Sequence, residues 1–331
     1  MFASVLVMLV VLVVLLLLGL AWLYYTPTTV TTAQASFVLQ PFPHPVLQTL
    51  PSSLGLKATT SLPTVLVPGM GDSCFNPGFS QLVGFVSQRT NTSAICIGPG
   101  FDPISDAIGS FAKTMGEQVE QFKTRVRKHP ELKLGFNAIG LSQGNLVIRA
   151  YVQRYNDPPV VNFISIHGPH AGVSSLPRCD PNGVGGIMCT VIDSIVGGVV
   201  YSPAVQAGLA QANYFRDQMH LGDYLEHCSF LPEFLDHAMA NTARLTSLRK
   251  LVLIMAQRDT MIIPKESEWF GALQTNSRSI VVPAEHQPWY QTLGLNVLQS
   301  SGRLITATTA GNHLDFSKRE LDEWIDLHLL Q

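Results

Sequence analysis

The sequence predicts an α/β fold, with a mainly parallel central sheet flanked by helices, and three observations carry that prediction. Short apolar runs alternate with stretches of helical period. Each run stops at Gly, Pro or a polar cluster, as a buried strand does where it reaches the sheet edge. The resulting order, β–α–β–α–β–α–β, is what parallel strands joined by crossover helices require. With 331 residues the chain is long enough for one large domain of this kind or two ordinary ones.

The first core strand is Thr64-Val65-Leu66-Val67, which runs straight into Pro68-Gly69-Met70-Gly71-Asp72-Ser73. Two glycines directly after a core strand let backbone N–H groups turn toward the sheet edge, as stabilising an oxyanion demands. An ordinary tight turn would read the same way. Residues 79–87 read as a short helix and residues 93–97 as β-rich. Residues 104–128 read as one longer amphipathic helix, with Phe111, Met115, Val119 and Phe122 at spacings of three and four.

Residues 134–141 form a short apolar run bounded by Gly135 and Gly140, which suits a buried strand. After it, Leu146, Val147, Ala150 and Tyr151 mark one face of a helix. Between the two lies Gly140-Leu141-Ser142-Gln143-Gly144, a G-x-S-x-G pentapeptide. In a strand–turn–helix setting this turn is sharp and holds the Ser hydroxyl above the sheet edge. The pentapeptide alone is common, and a solvated turn serine is the plain alternative. Residues 160–166 form another buried strand, ending in His167-Gly168-Pro169-His170.

The alternation stops from 171 to 249, where Gly-rich loops and short apolar helical stretches contain no convincing core strand. An insertion of that size between core strands is where a lid or acyl-binding subdomain sits. Its many apolar residues, from Ile187 and Met188 through Phe215 to Phe230 and Phe234, form its own core or line a groove for a long apolar ligand. The sheet resumes at residues 251–256, followed by Gln257-Arg258-Asp259. The final strand is residues 303–307, followed by the loop that ends Gly311-Asn312-His313. Residues 321–330 close the chain as an amphipathic helix.

Composition narrows the function. Charged residues make up 13% of the chain, and the formal net charge is −2 with no basic stretch, which argues against a nucleic-acid partner. Part of the low charge lies at the N-terminus. Residues 2–25 are almost wholly apolar, broken only by Ser4 and Gly19, and no Asp, Glu, Lys or Arg precedes Lys57. Such a run can span the ~30 Å hydrocarbon layer, whereas a cleaved signal peptide has an apolar region of roughly 7–15 residues and a basic start. The small-x-small triplet Ala33-Gln34-Ala35 lies well beyond the run. The segment is therefore read as a signal anchor in preference to a cleaved signal peptide, with membrane attachment and entry to the secretory pathway as its consequences. Residues 26–63, rich in Thr, Pro, Ser and Gln, read as a linker or lumenal stalk. That leaves 64–331 as the catalytic domain.

Five cysteines, Cys74, Cys96, Cys179, Cys189 and Cys228, allow at most two bridges in an oxidising compartment. Cys179 and Cys189 flank a Gly-rich loop and are the best candidate pair, with buried free thiols as the alternative. The absence of a C-x-x-C pair or clustered His/Cys spacing leaves no metal site and no cofactor to expect. Asn91-Thr92-Ser93 is a glycosylation sequon in a stretch that reads as an exposed loop.

A serine hydroxyl needs an adjacent imidazole to take its proton, and the imidazole needs a carboxylate to fix its tautomer. In α/β-hydrolases the three arrive in the order Ser, Asp or Glu, His, each on a loop beyond the carboxyl end of a strand. Ser142, Asp259 and His313 fit both the order and the placement. Parallel strands bring those ends to one edge, so residues far apart in sequence can meet. His167 and His170 come too early for this order, His220, His227 and His237 lie in the insertion, and Asp315 is too near His313 along the chain to reach behind its ring. The oxyanion hole then takes the backbone N–H of Gln143 and a second one from the Gly69–Gly71 loop.

Several segments resemble the palmitoyl-protein thioesterases, in particular the lysosomal type. They are Gly69-Met70-Gly71-Asp72-Ser73-Cys74 with Asn76-Pro77, Gly135 through Gly144, and Gly172-Val173 with Leu176-Pro177-Arg178-Cys179. Ser267-Glu268-Trp269-Phe270-Gly271 after the acid loop and Gly311-Asn312-His313-Leu314 complete the set. The resemblance implies an α/β-hydrolase fold and cleavage of the thioester between a long-chain fatty acyl group and cysteine in S-acylated proteins or peptides. It implies acylation of Ser142, with His313 as base and acid and Asp259 orienting it. Met70 would supply the second oxyanion N–H, Cys179 would pair with Cys189, and the setting would be lysosomal or lumenal. Two positions depart from the pattern: Phe75 stands where a second, adjacent cysteine is often found, and Pro68 replaces a histidine. The first leaves the state of Cys74 open. The alternatives to a protein thioesterase are a related carboxyl-ester or short-acyl-thioester hydrolase and a silent, membrane-anchored lipid-binding protein.

Overall fold

A computed structural model of the chain describes residues 61–175, 199–237 and 242–330. The readings of residues 1–25 as signal and of 26–63 as stalk lie outside these, the stalk up to residue 60, as does the Cys179–Cys189 pair. Six strands build one parallel sheet in the order β2-β1-β3-β4-β5-β8. They are β1 (Thr64–Val67), β2 (Ala94–Cys96), β3 (Phe136–Leu141), β4 (Val160–Ile166), β5 (Lys250–Ala256) and β8 (Leu304–Thr309). Two short strands, β6 (Ala272–Leu273) and β7 (Val281–Val282), pair antiparallel beside it.

Successive strand side chains point to opposite faces, and here they divide between two apolar clusters. Val65, Val67, Ala138, Phe163, Leu251 and Leu253 join one cluster with helices α3 (Met115–Val126) and α4 (Gly144–Arg154). Leu66, Ile139, Ile164, Val252 and Ile254 join the other with α1 (Pro77–Thr90) and a closing helix, Lys318–His328. Each fully buried side chain of this kind contributes about 1.5–3 kcal/mol relative to leaving it in water, so both faces must be covered. Arg89 on α1 pairs with Asp322 and Asp326 and tethers the closing helix over its face.

The structure corrects several boundaries. The single helix expected over 104–128 is two, α2 (Pro103–Ala112) and α3, because Lys113 is extended and Thr114 starts a fresh helix. Thr114 Oγ1 accepts the Glu117 N–H at 3.2 Å while Glu117 Oε2 accepts the Thr114 N–H at 2.8 Å, a reciprocal cap that a simple apolar period hides. Helix α1 is longer than expected, from Pro77 in its first turn to a stop at Asn91, which has φ 52°. β3 starts at Phe136 rather than at 134, since Leu134 is 89% exposed. β8 runs two residues further than read, because Thr308 and Thr309 continue the pairing against Met255 and Ala256.

Between 171 and 249 the described residues hold only short helical turns and one isolated bridge, Val173 to Phe215. Val200, Phe215, Phe230, Leu231 and Phe234 join the same cluster as the α4 face of the sheet, so the described residues of this region share the core of the sheet. Val199 and Leu225 are exposed, and Ile187 and Met188 lie outside the described residues. A disulfide joins Cys74 to Cys96, pinning the loop after β1 to the end of β2. Cys228 is a buried free thiol. Asn91 of the sequon is exposed. Among the described residues no helix is long and apolar enough to cross a membrane.

Candidate active site

The turn after β3 is the one the pentapeptide demands. Ser142 has φ 49°, in the left-handed region that non-glycine residues rarely adopt. Space excludes side chains on either side of it. A Cβ on Gly144 would lie 2.5 Å from the Val67 carbonyl oxygen, and one on Gly140 would lie 2.3 Å from the Asn145 amide. The strain is held by neighbours, since Ser142 donates its N–H to Ile166 and Asn145 binds both the Ser142 and Ile166 carbonyls.

Asp259 lies three residues beyond β5 and His313 four beyond β8. Their loops are tied together: the Arg258 N–H reaches Gly311 O at 3.1 Å, and the Thr260 N–H reaches Asn312 Oδ1 at 2.9 Å. His313 Nε2 stands 2.8 Å from Ser142 Oγ, and His313 Nδ1 stands 2.6 Å from Asp259 Oδ2. Asp259 Oδ1 accepts the Met261 and Ile262 N–H groups at 2.7 and 2.8 Å. Burial works to raise the Asp259 carboxyl, but the His313 hydrogen bond and charge, with the Ile262 N–H, outweigh it and hold it below the ordinary carboxylate value. The arrangement can activate a hydroxyl and hold the resulting imidazolium. Asp315 packs against Gly311 and takes no part.

The loop after β1 closes over the nucleophile. A Cβ on Gly69 would sit 3.0 Å from Ser142 Cβ, so only glycine lets this backbone approach. Among the described residues neither the Met70 nor the Gln143 N–H has a hydrogen-bond partner. The loop is held from behind by Asp106, whose carboxylate accepts the Cys74 and Gly100 N–H groups, each at 2.7 Å, and Ser73 Oγ at 3.1 Å.

Five supporting residues were assigned no such part by the sequence reading. Ser110 joins both sides of the oxyanion position: its Oγ accepts the Gly71 N–H at 2.8 Å, and its carbonyl accepts Gln143 Nε2 at 2.8 Å. Gln211 and Tyr214, from the 171–249 region, donate to Gln143 Oε1 at 2.8 and 2.9 Å. His167, at the end of β4, accepts the Leu314 N–H on Nδ1 at 2.8 Å, which fixes the backbone beside His313. Burial, and then the neighbouring His313, push His167 down to about 4, so it stays neutral there. Glu268 is wholly buried next to Asp259. Ser110 lies mid-helix and carries no motif, and Glu268 is visible only as part of a family-like string, which explains the omissions. His170, the other early histidine, bonds Ser165 Oγ at 2.8 Å and stacks on Phe270, away from the nucleophile.

His167, Asp259 and His313 offer ligand atoms within 4.8 Å of one another. Those atoms are already committed, to Leu314, Thr309, Ser142 and each other, so the cluster is a hydrogen-bonded chain rather than a ready metal site.

Comparison with known proteins points the same way. Residues 63–313 match the family model described as palmitoyl protein thioesterase. Palmitoyl-protein thioesterase 3 of Dictyostelium discoideum is 38% identical over 215 residues, covering 63% of this chain and 72% of its own length. Palmitoyl-protein thioesterase 1 of Caenorhabditis elegans is 32% identical over 272 residues, covering 80% of this chain and 90% of its own. A lysosomal thioesterase, PPT2 of Mus musculus, is 30% identical over 260 residues, covering 75% and 80%.

Proposed function

The chain belongs to the palmitoyl protein thioesterase family of hydrolases, and we propose that it cleaves the thioester of S-acylated cysteine in proteins or peptides through an acyl-enzyme on Ser142. The observation that carries this reading is the unbroken chain Ser142 Oγ–His313 Nε2 and His313 Nδ1–Asp259 Oδ2, at 2.8 and 2.6 Å.

In this mechanism His313 Nε2 takes the Ser142 proton as Oγ attacks the thioester carbonyl carbon. Asp259 keeps the imidazole in the tautomer that leaves Nε2 free and steadies its charge. The tetrahedral oxyanion lies against the Met70 and Gln143 N–H groups. Collapse expels the cysteine sulfur, which receives the proton from His313. A water, activated in turn by His313, then releases the fatty acid.

Residues 64–331 form the catalytic domain, with 171–249 as its acyl-binding insertion and a long-chain acyl group as its ligand. The secretory route proposed from residues 1–25, as anchor or cleaved signal, fits a lysosomal or lumenal setting. The similarity to the lysosomal thioesterase of Mus musculus and the Cys74–Cys96 bridge support that setting. Glycosylation at Asn91 and a Cys179–Cys189 bridge belong to the same picture.

The test is release of fatty acid from S-acylated cysteine peptides. Ser142→Ala should abolish it, along with labelling by a serine-directed phosphonate; retained turnover would overturn the mechanism. Matched oxygen esters and short-acyl thioesters in the same assay separate a protein thioesterase from a general carboxyl-ester or acyl-thioester hydrolase.

A further inference from the structure

We propose that Glu268 is a positioning residue that remains a protonated carboxylic acid and donates its O–H to Asp259, so that the acid of the triad is itself held by an acid. The inference rests on the reading that Asp259 serves His313.

Glu268 is fully buried, and its Oε2 accepts the Ala256 N–H at 3.0 Å, which fixes the side chain at the end of β5. Its Oε1 is equally buried and receives a hydrogen bond from no donor among the described residues. An anionic oxygen there would be bare, which is costly in a low-dielectric interior. The Glu268 carboxyl lies within hydrogen-bonding reach of Asp259, and two carboxyl groups can bond there only with one proton between them.

The surroundings decide which group keeps it. Asp259 accepts two backbone N–H groups and faces the His313 imidazole, all of which favour its anion. Glu268 has one N–H, and the charged side chains that act on it are Asp259 and Glu266, both acidic. Glu266 has its own cation in Lys265, and among the described residues no ion pair reaches Glu268. Burial and the Asp259 charge push the Glu268 carboxyl up to about 10. Its proton is not transferred in the reaction. The O–H orients the Asp259 carboxylate and draws charge from it, so that Asp259 stabilises the His313 cation without holding it too tightly.

Two variants and one spectrum test this. Glu268→Gln keeps a neutral donor of the same shape and an oxygen for Ala256. It should retain kcat within about threefold of the parent and leave the acid limb of kcat/KM within about 0.3 pH unit. Glu268→Ala removes the donor, so kcat should fall by about 10–100-fold with KM little changed, and the acid limb should move to higher pH. The infrared spectrum at neutral pH should show a carboxylic-acid carbonyl band that Glu268→Gln abolishes. If Glu268 were ionised, the band would be absent and Glu268→Gln would move the acid limb down by about one unit or more, because a negative charge beside the His313–Asp259 pair had been removed. Either result would overturn the proposal. Phosphonate labelling of Ser142 in both variants reports folding, and its loss in Ser142→Ala tests the triad separately.

Discussion

The two halves of the site are held by different physics. On the Asp259–His313 side the supports are titratable and buried: His167 under the His313 loop and Glu268 behind Asp259. On the Met70–Gln143 side the groups bonded to Gly71 and Gln143 are neutral: the Ser110 hydroxyl and carbonyl, the Gln118 and Gln211 amides, and the Tyr214 hydroxyl, while the Asp106 carboxylate acts further out, on Ser73 and Cys74. In the proposed mechanism, the acid–base side handles a charge already on Asp259, where partners able to share or withhold a proton serve. The oxyanion side would meet charge only in the transition state, where fixed dipoles serve best because they need no reorganisation at that moment. On that reading, proton chemistry and oxyanion binding can be disturbed separately.

The largest effect should come from the charged half. Asp259→Asn preserves shape but presents the wrong hydrogen-bond pattern to His313, and kcat should fall by about 10⁴-fold with the fold intact. Comparable turnover by that variant would remove Asp259 from the triad. Next comes the covalent clamp on the neutral half. The Cys74–Cys96 bridge closes a loop with a sequence separation of 22, so Cys96→Ser should lower unfolding free energy by about 3 kcal/mol, read by denaturant titration.

Ser110→Ala should then cost about 10–100-fold in kcat, since it frees the Gly71 N–H and loosens the oxyanion loop without removing a donor outright. Its pH profile should match the parent, whereas a shifted profile would mean that the two halves are coupled.

The smallest effect is in stability against pH. Glu268 has a raised value in the folded state, so its contribution is complete below the ordinary carboxyl value of 4.5 and is lost as pH rises toward about 10. His167, lowered from 6.5 to about 4, acts oppositely and costs stability as pH falls through that window. Thermal and denaturant unfolding should therefore show a maximum on the mildly acidic side. On its alkaline flank Glu268 supplies at most about 1.4 kcal/mol per pH unit. Glu268→Gln should flatten that flank.

The sheet was legible because buried parallel strands read as unbroken apolar runs: residues 64–67 and 160–166 were located to the residue. Helix boundaries were less so, because the Thr114–Glu117 cap interrupts an apolar period that continues across it. For the site, order along the chain singled out Ser142, Asp259 and His313, and the structure brings those three together. What sequence did not show were partners defined only by proximity. Ser110, His167 and Glu268 are 33, 146 and 9 residues from Gln143, His313 and Asp259, the residues they support, and no periodicity links them. The Cys74–Cys96 bridge is likewise a matter of adjacency, since β1 and β2 pair side by side.

The lateral order of the strands has a consequence for how activity arises during folding. Moving across the sheet from β1 to β3, β4, β5 and β8, the loops deliver Met70, Ser142 with Gln143, His167, Asp259 and His313 in turn. Among the described strands, His313 thus follows an edge strand that is also the last in sequence, so its position depends on the pairing of β8 with β5. On the proposed mechanism, a sheet without β8 in place would carry a strained serine, its oxyanion donors and its acid, yet no base. Chemical competence would then wait on that one strand, and a chain lacking it would be inert toward acyl groups.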